Sequence, residues 1–140
     1  MTERFIPKLV TLAYNEVVAA LRLPKESEQG RTARRKAIQQ ATRKAASVPL
    51  ETLRGVARLA DLIRITVEMG NPNCITDAGT AAQLARAAAH AAAYNVRINL
   101  EGIGDEAFAA ECNREVKEIL VRLDATVVDV EKTIAAALDD

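Results

Sequence analysis

Tryptophan is absent, aromatic residues make up only 3% of the 140, and a single histidine occurs. A core built without large rings must come from Ala, Leu, Val and Ile, because 49% of the chain is apolar. Net charge is also missing: nineteen basic residues balance nineteen acidic ones, so no field of one sign points to nucleic acid or a membrane surface. No apolar run approaches the roughly 18 to 20 residues needed to span a bilayer. The opening "MTERFIPKLVTLAYNEV" has no small-residue cleavage site behind an apolar stretch, so it does not read as a signal peptide. The two cysteines, Cys74 and Cys112, lie 38 positions apart without neighbouring His or Cys ligands. That excludes a zinc framework and predicts two reduced, partly buried thiols. Together these absences predict one cytoplasmic domain over residues 1–140, with no metal.

What is present is helical periodicity. Val and Ile fall in steps of three and four, not in alternation, so the class is all-α, a bundle of about five helices. The first runs from about Lys8 to Leu21, with Ile6, Leu9, Val10, Ala13, Val17 and Ala20 on one side and Leu12, Val18 and Leu21 on others. The second, about Ser27 to Ala46, is polar and basic, with a thin stripe at Ala33, Ala37, Ala41 and Ala45. Pro49 predicts the first turn of a third helix, carrying Leu53, Val56, Ala60, Ile63 and Val67 to Gly70. "GNPN" is a turn signal, and Thr76 or Asp77 is the expected cap of a fourth, alanine-rich helix reaching Asn99. Asp105 caps the last helix. There the stripe Phe108, Cys112, Val116, Ile119, Leu123, Val127, Val130, Ile134, Leu138 runs for about 45 Å at 1.5 Å per residue. So long a stripe predicts packing against a second subunit.

Chemistry-bearing motifs are few. His90 stands among alanines with no nucleophile and aspartate in view, and a structural or surface role is the default. No Walker loop or dinucleotide fingerprint occurs. "RTARRKAIQQATRK" holds six positive charges, either a solvated face or a landing surface for a polyanion. Between residues 81 and 93, nine of thirteen positions are alanine, bracketed by Asn73, Asp77, Asn95 and Asn99. Asn95 and Asn99 share a helix face, and both are mediocre helix formers, so they resemble a polar wall for a flat ligand. Gly79 weakens a first turn by about 1 kcal/mol relative to alanine, as expected where something approaches the backbone.

"YNEVVAALRLPK", "ASVPLETL", "GNPNCITDAG" and "YNVRINL", followed by "DEAF", resemble the cyclodeaminase/methenyltetrahydrofolate cyclohydrolase family in order and spacing from about Leu9 onward. The resemblance implies an all-helical fold that dimerises and binds a tetrahydrofolate derivative in a groove, with no metal or second cofactor beyond that substrate. One family reaction cyclises 5-formiminotetrahydrofolate with loss of ammonia; the other adds water to the 5,10-methenyl bridge. The implied ligand contacts are Asn73, Asp77, Asn95, Arg97, Asn99 and Lys25, with Arg34, Arg35 and Lys36 set to attract a polyglutamate tail. Two departures stand out. The family's preceding helical stretch with a Pro-Gly-Gly-Gly-Ser-like motif is not in these residues, and its proton-transferring aspartate aligns with Val10, four before Tyr14. The catalytic residue is therefore unknown, with Glu16 or Asp77 as substitutes. Three readings follow: a folate-interconverting enzyme, a non-catalytic dimeric scaffold of the same family, or a basic-helix nucleic-acid binder.

Overall fold

The computed structural model describes residues 5–139, with side chains from 11 to 138. Among these residues there are four α-helices and one short 3-10 turn, and no strand: α1 (Phe5–Leu21), α2 (Glu28–Met69), the turn Pro72–Cys74, α3 (Ile75–Leu100) and α4 (Glu106–Asp139). The side chains of Ile6, Lys8, Leu9 and Val10 lie outside the described ones.

The expected second and third helices are one. α2 runs unbroken for 42 residues with Pro49 inside it. A mid-helix proline removes one hydrogen bond and crowds the preceding turn, a cost of about 3 kcal/mol. Tertiary burial outweighs it here. Ala46, Leu50, Leu53, Ala57 and Ala60 form one continuous buried stripe across the proline, which ending the helix at residue 46 would have misaligned. The ends of α2 follow local rules. Ser27 Oγ accepts a hydrogen bond from Gly30 N at 3.0 Å, and Gly70 N donates to Thr66 O at 2.8 Å. A Cβ at Gly70 would stand 2.2 Å from that oxygen, so glycine is required for close approach.

The start of α3 also differs from expectation. Its N-cap position is Cys74, with no side-chain cap, and Thr76 and Asp77 sit inside the first turn. The 3-10 turn ahead of it is held by Asn71, whose side chain accepts from Asn73 N. At the other end, Gly102 (φ 68°) and Gly104 (φ 66°) adopt the left-handed backbone that reverses the chain into α4. Asp105 caps α4 as expected, accepting from Phe108 N at 3.2 Å.

The alanines of α3 explain the core. Ala82, Ala85, Ala89 and Ala93 are buried against α2, itself lined by Ala46, Ala57 and Ala60. Side chains this small let two helix axes come close. Leu53, Val96, Val116, Leu123 and Val127 fill the remaining volume. Gly79 belongs to this packing too: a Cβ there would meet Ile134 Cδ1 at 2.3 Å, so what approaches its backbone is α4. The α4 stripe is buried from Cys112 to Val130, and Ile134 packs against the core, leaving Leu138 exposed. Most of its length is thus satisfied within one chain. Exposed large apolar residues lie on every helix, including Leu12 and Tyr14 of α1, Val121 and Val128 of α4, Leu59, Leu62, Ile65 and Met69 of α2, and Leu84, Tyr94 and Ile98 of α3.

Ion pairs join the helices. Arg54 bridges α2 to Glu115 of α4, and Lys44 pairs with Glu16 of α1. Asp105 accepts from Arg43 and Gln39, while the Arg43 guanidinium lies 5.0 Å from the centre of the Phe108 ring. The Phe108 amide first, then Arg43 and Gln39, hold the Asp105 carboxyl below the usual carboxylate range.

Candidate functional site

Where α1 crosses the α2–α3 pair, a groove of about 320 Å³ opens. Its floor and sides are small: Ala13 from α1, Ala45 and Val48 from α2, and Ala88, Ala91 and Ala92 from α3. Pro49, Thr52, Asn95 and Asn99 complete the wall. Side chains this short leave a smooth slot suited to a flat ring system.

The polar groups are two amides and a hydroxyl. Asn95 Nδ2 donates to Ala91 O at 2.9 Å and Asn99 Nδ2 donates to Asn95 O at 2.7 Å. One N–H of each amide is engaged in the helix, which leaves each Oδ1 to accept from a ligand and one N–H to donate to it; the amide orientation is assigned from these bonds. Thr52 Oγ1 donates to Val48 O at 3.3 Å, so its lone pairs are also available. Pro49 adds a further acceptor. It has no N–H, so the carbonyl of Ala45, four residues earlier, has no helical donor, and both residues line the groove. The wall is therefore richer in acceptors than in donors. Among the described residues, no ionisable side chain lines it.

The sequence-derived site residues separate into four places. Asn95 and Asn99 meet in the groove. Lys25 lines a different, basic cavity with Arg31, Arg34 and Arg35. Asn73 and Asp77 are exposed at the opposite end of α3, with Asp77 about 27 Å along the axis from Asn95 at 1.5 Å per residue. Arg97 is exposed and shares the helical stripe of Arg86 and His90, which faces α4 and not the groove. There His90 Nε2 stands 3.3 Å from Asp124 Oδ1, which Arg86 Nε also approaches at 2.9 Å. His90 is thus part of an interhelical polar cluster around Asp124. Glu16 lies three residues from Ala13 but is paired with Lys44. The backbone of Val10 belongs to α1.

Ala45, Pro49 and Thr52 were not among the candidates from sequence. The signal for them was present in the unbroken spacing of Ala46, Leu50 and Leu53 through the proline, which requires a helix with one unbonded carbonyl.

Comparison with known proteins places these features. Residues 11–118 match the family model described as formiminotransferase-cyclodeaminase. A methenyltetrahydrofolate cyclohydrolase of Methylorubrum extorquens is 35% identical over 127 residues, 91% of this chain and 61% of its own length. The formimidoyltransferase-cyclodeaminase of Sus scrofa is 31% identical over 77% of this chain, which spans 20% of that protein. Among solved structures, the formiminotetrahydrofolate cyclodeaminase of Thermotoga maritima superposes with a TM-score of 0.80 at 29% identity, covering 95% of this chain and 62% of that one. This chain therefore spans less than two thirds of each of these relatives. A match over most of the sequence, and a like arrangement of helices, establish that the chain belongs to the formiminotransferase-cyclodeaminase family.

Proposed function

We propose that the chain binds a reduced folate, with the pterin ring in the groove between α1, α2 and α3. The observation that carries this is the acceptor-rich wall. A tetrahydropterin presents several N–H donors along one edge, and the Asn95 and Asn99 carbonyls, the Thr52 hydroxyl and the Ala45 carbonyl are acceptors on one small-residue slot. The relatives named above act in one-carbon folate chemistry, and that supports the same ligand class here. Titration with 5-formyltetrahydrofolate tests the reading. Saturable binding that Asn99→Ala weakens about tenfold is expected, since an unpaired buried polar group costs about 1 to 3 kcal/mol. A folded protein without binding would end it.

For turnover, the groove as proposed would bind, but among the described residues that line it there is no group that moves a proton. Opening the 5,10-methenyl bridge or closing the formimino group both need one, and a placed acid or base contributes about 10² to 10⁴ in rate. With valine at position 10, this favours the family's non-catalytic scaffold reading for the isolated chain. Catalysis would require a carboxylate from a second copy or a companion chain, such as Asp77 brought across an interface.

Association is part of the proposal. Leu59, Leu62, Ile65 and Met69 of α2, with Leu84, Tyr94 and Ile98 of α3, are large apolar side chains left exposed, the kind of surface that association covers. A homodimer or larger assembly covering it would hide about 800 Å² per subunit in a standard interface. Light scattering at micromolar concentration decides this; a 15.1 kDa particle would refute it. Free thiols at Cys74 and Cys112 fit a cytoplasmic setting, and no helix among the described residues is long and apolar enough to cross a membrane.

A further inference from the structure

α4 covers one side of the α2–α3 layer, where Arg54 and Asp61 of α2 and Arg86 of α3 reach across to it. α1 lies on the other side and meets the first part of α2. Arg34 donates to Leu21 O at 3.2 Å, Lys44 pairs with Glu16, and Ala13 lines the groove with Val48 and Thr52. α1 is 17 residues long and α2 is 42, so this side of the layer continues past Thr52 as an open face. On it Gly55, Leu59, Leu62, Thr66 and Met69 follow one another in steps of four and three, and so share one face of α2. Ala81, Leu84, Ala88 and Ala91 do the same on antiparallel α3, and the last two also line the groove. Neither row contains a charge. Leu62 is 59% exposed, Leu84 66% and Met69 82%. Large side chains beside Gly55 and Ala81 make knobs and hollows of the kind that receive a helix.

We propose that this open face is the seat of α1 from a second copy, and that the exchange is mutual. α1 carries a matching row. Tyr14, Val18 and Leu21 repeat the four-then-three spacing of Leu62, Thr66 and Met69, on a different face from buried Ala13 and Ala20. The pair of Glu16 with Lys44 sets α1 antiparallel to its own α2, with Tyr14 level with about residue 46. A two-fold axis crossing α2 near Arg54 carries Tyr14 of the partner subunit to the level of Leu62, and Leu21 of the partner subunit to Met69. Each α1 is then held between its own α2–α3 layer and the partner's, as an isologous contact requires. Each subunit takes part in two such seats, of about 250 Å² each in projection for a helix about 10 Å wide and 25 Å long. Accessible area on a ridged surface exceeds its projection, so the contact approaches the roughly 800 Å² per subunit of a standard interface. The groove opens onto this face at Thr52 and Ala88. Resting on the folate and association readings above, the start of the partner's α1 closes that mouth, and the binding site is complete only in the dimer.

The seat is tested by crosslinking in a Cys74→Ser background, because Cys74 is the exposed thiol. Tyr14→Cys and Leu62→Cys are made in separate chains, mixed, and treated with a short bismaleimide. Within one chain the two positions stand about 24 Å apart along α2, so a link between them joins two copies. The mixture should give a covalent dimer, whereas Tyr14→Cys mixed with Val121→Cys on α4 should not. Leu62→Glu should leave a folded 15.1 kDa particle in light scattering and weaken 5-formyltetrahydrofolate binding about tenfold. Val121→Glu should change neither. A dimer that forms no Tyr14–Leu62 link overturns the seat and leaves association standing. A parent chain that stays at 15.1 kDa overturns both and gives this face to another occupant. A linked dimer whose affinity survives Leu62→Glu overturns the closing of the groove by the partner. Absence of folate binding in the linked dimer defeats the groove reading alone, since the crosslink reads the seat without a ligand.

Discussion

Arg54 and Glu115 meet fork to fork across α2 and α4, with Nε 2.6 Å from Oε1 and the second guanidinium nitrogen 2.7 Å from Oε2. The remaining nitrogen turns to Glu51 at 2.5 Å. Two parallel charge-assisted bonds fix the relative register of the two longest helices.

This pair sets a pH dependence. The hydrogen bonds from Arg54 hold the Glu115 carboxyl below the usual carboxylate range, against the opposing effect of burial. A depressed folded value means the stabilisation is fully present above the unfolded carboxylate value of about 4.3 and is lost as pH falls through the lower folded value. Because the Arg54 side chain is 41% exposed, solvent screening limits the effect to about 1 kcal/mol. Urea midpoints of the parent and Glu115→Gln should differ at pH 7 and converge in the acid range. A gap that stays constant down to pH 3 would show that the substitution acts through packing and not charge.

Pro49→Ala should restore the helical bond to Ala45 and stabilise the protein by about 1 to 2 kcal/mol, after allowing for the looser unfolded chain. It should also occupy the carbonyl at the groove wall and weaken folate binding about tenfold. Thermal melting and calorimetry read the two effects separately. A variant that gains stability and keeps its affinity would remove the Ala45 carbonyl from the binding surface.

Ala89 is fully buried, whereas Ala87 is exposed. Ala89→Leu forces extra volume between α2 and α3 and should cost about 2 to 3 kcal/mol. Ala87→Leu should stay within about 0.5 kcal/mol of the parent. Equal effects in chemical denaturation would mean that α2 and α3 are not closely packed at this level.

Asn95→Ala and Asn99→Ala should each reduce folate affinity about tenfold, because both line the groove. Asp77→Ala should leave affinity within about twofold in monomeric protein, given its distance along α3. If dilution to monomer leaves the Asp77→Ala defect as large as that of Asn99→Ala, the ligand lies elsewhere on α3.

The spacing of Leu53, Val56, Ala60 and Ile63, and of Cys112 through Val130, was enough to assign the helical class and most of the core, because amphipathic period is a local property of the chain. Asn95 and Asn99 were legible for the same reason. Pro49 misled, since a proline's local cost is visible in sequence while the burial that outweighs it is tertiary. Thr76 and Asp77 misled at the start of α3, where Asn71 and a 3-10 turn organise the entry instead. Gly79 signalled a close approach to the backbone, and what approaches is Ile134 of the neighbouring α4. The fork between Arg54 and Glu115 joins residues 61 apart, a separation across which no periodicity carries information.

The two thiols make the molecule its own opening gauge. Cys74 is exposed at the 3-10 turn and Cys112 is buried, where desolvation first, then Glu115, raises its pKa and suppresses the reactive thiolate. A thiol reagent should therefore modify Cys74 at nearly the rate of a free peptide cysteine. Cys112 should react only when α4 lifts from α2 and α3, so its labelling rate counts native-state openings without denaturant. A ligand seated between α1, α2 and α3 would slow that count in proportion to its occupancy, giving a readout of binding that needs no turnover.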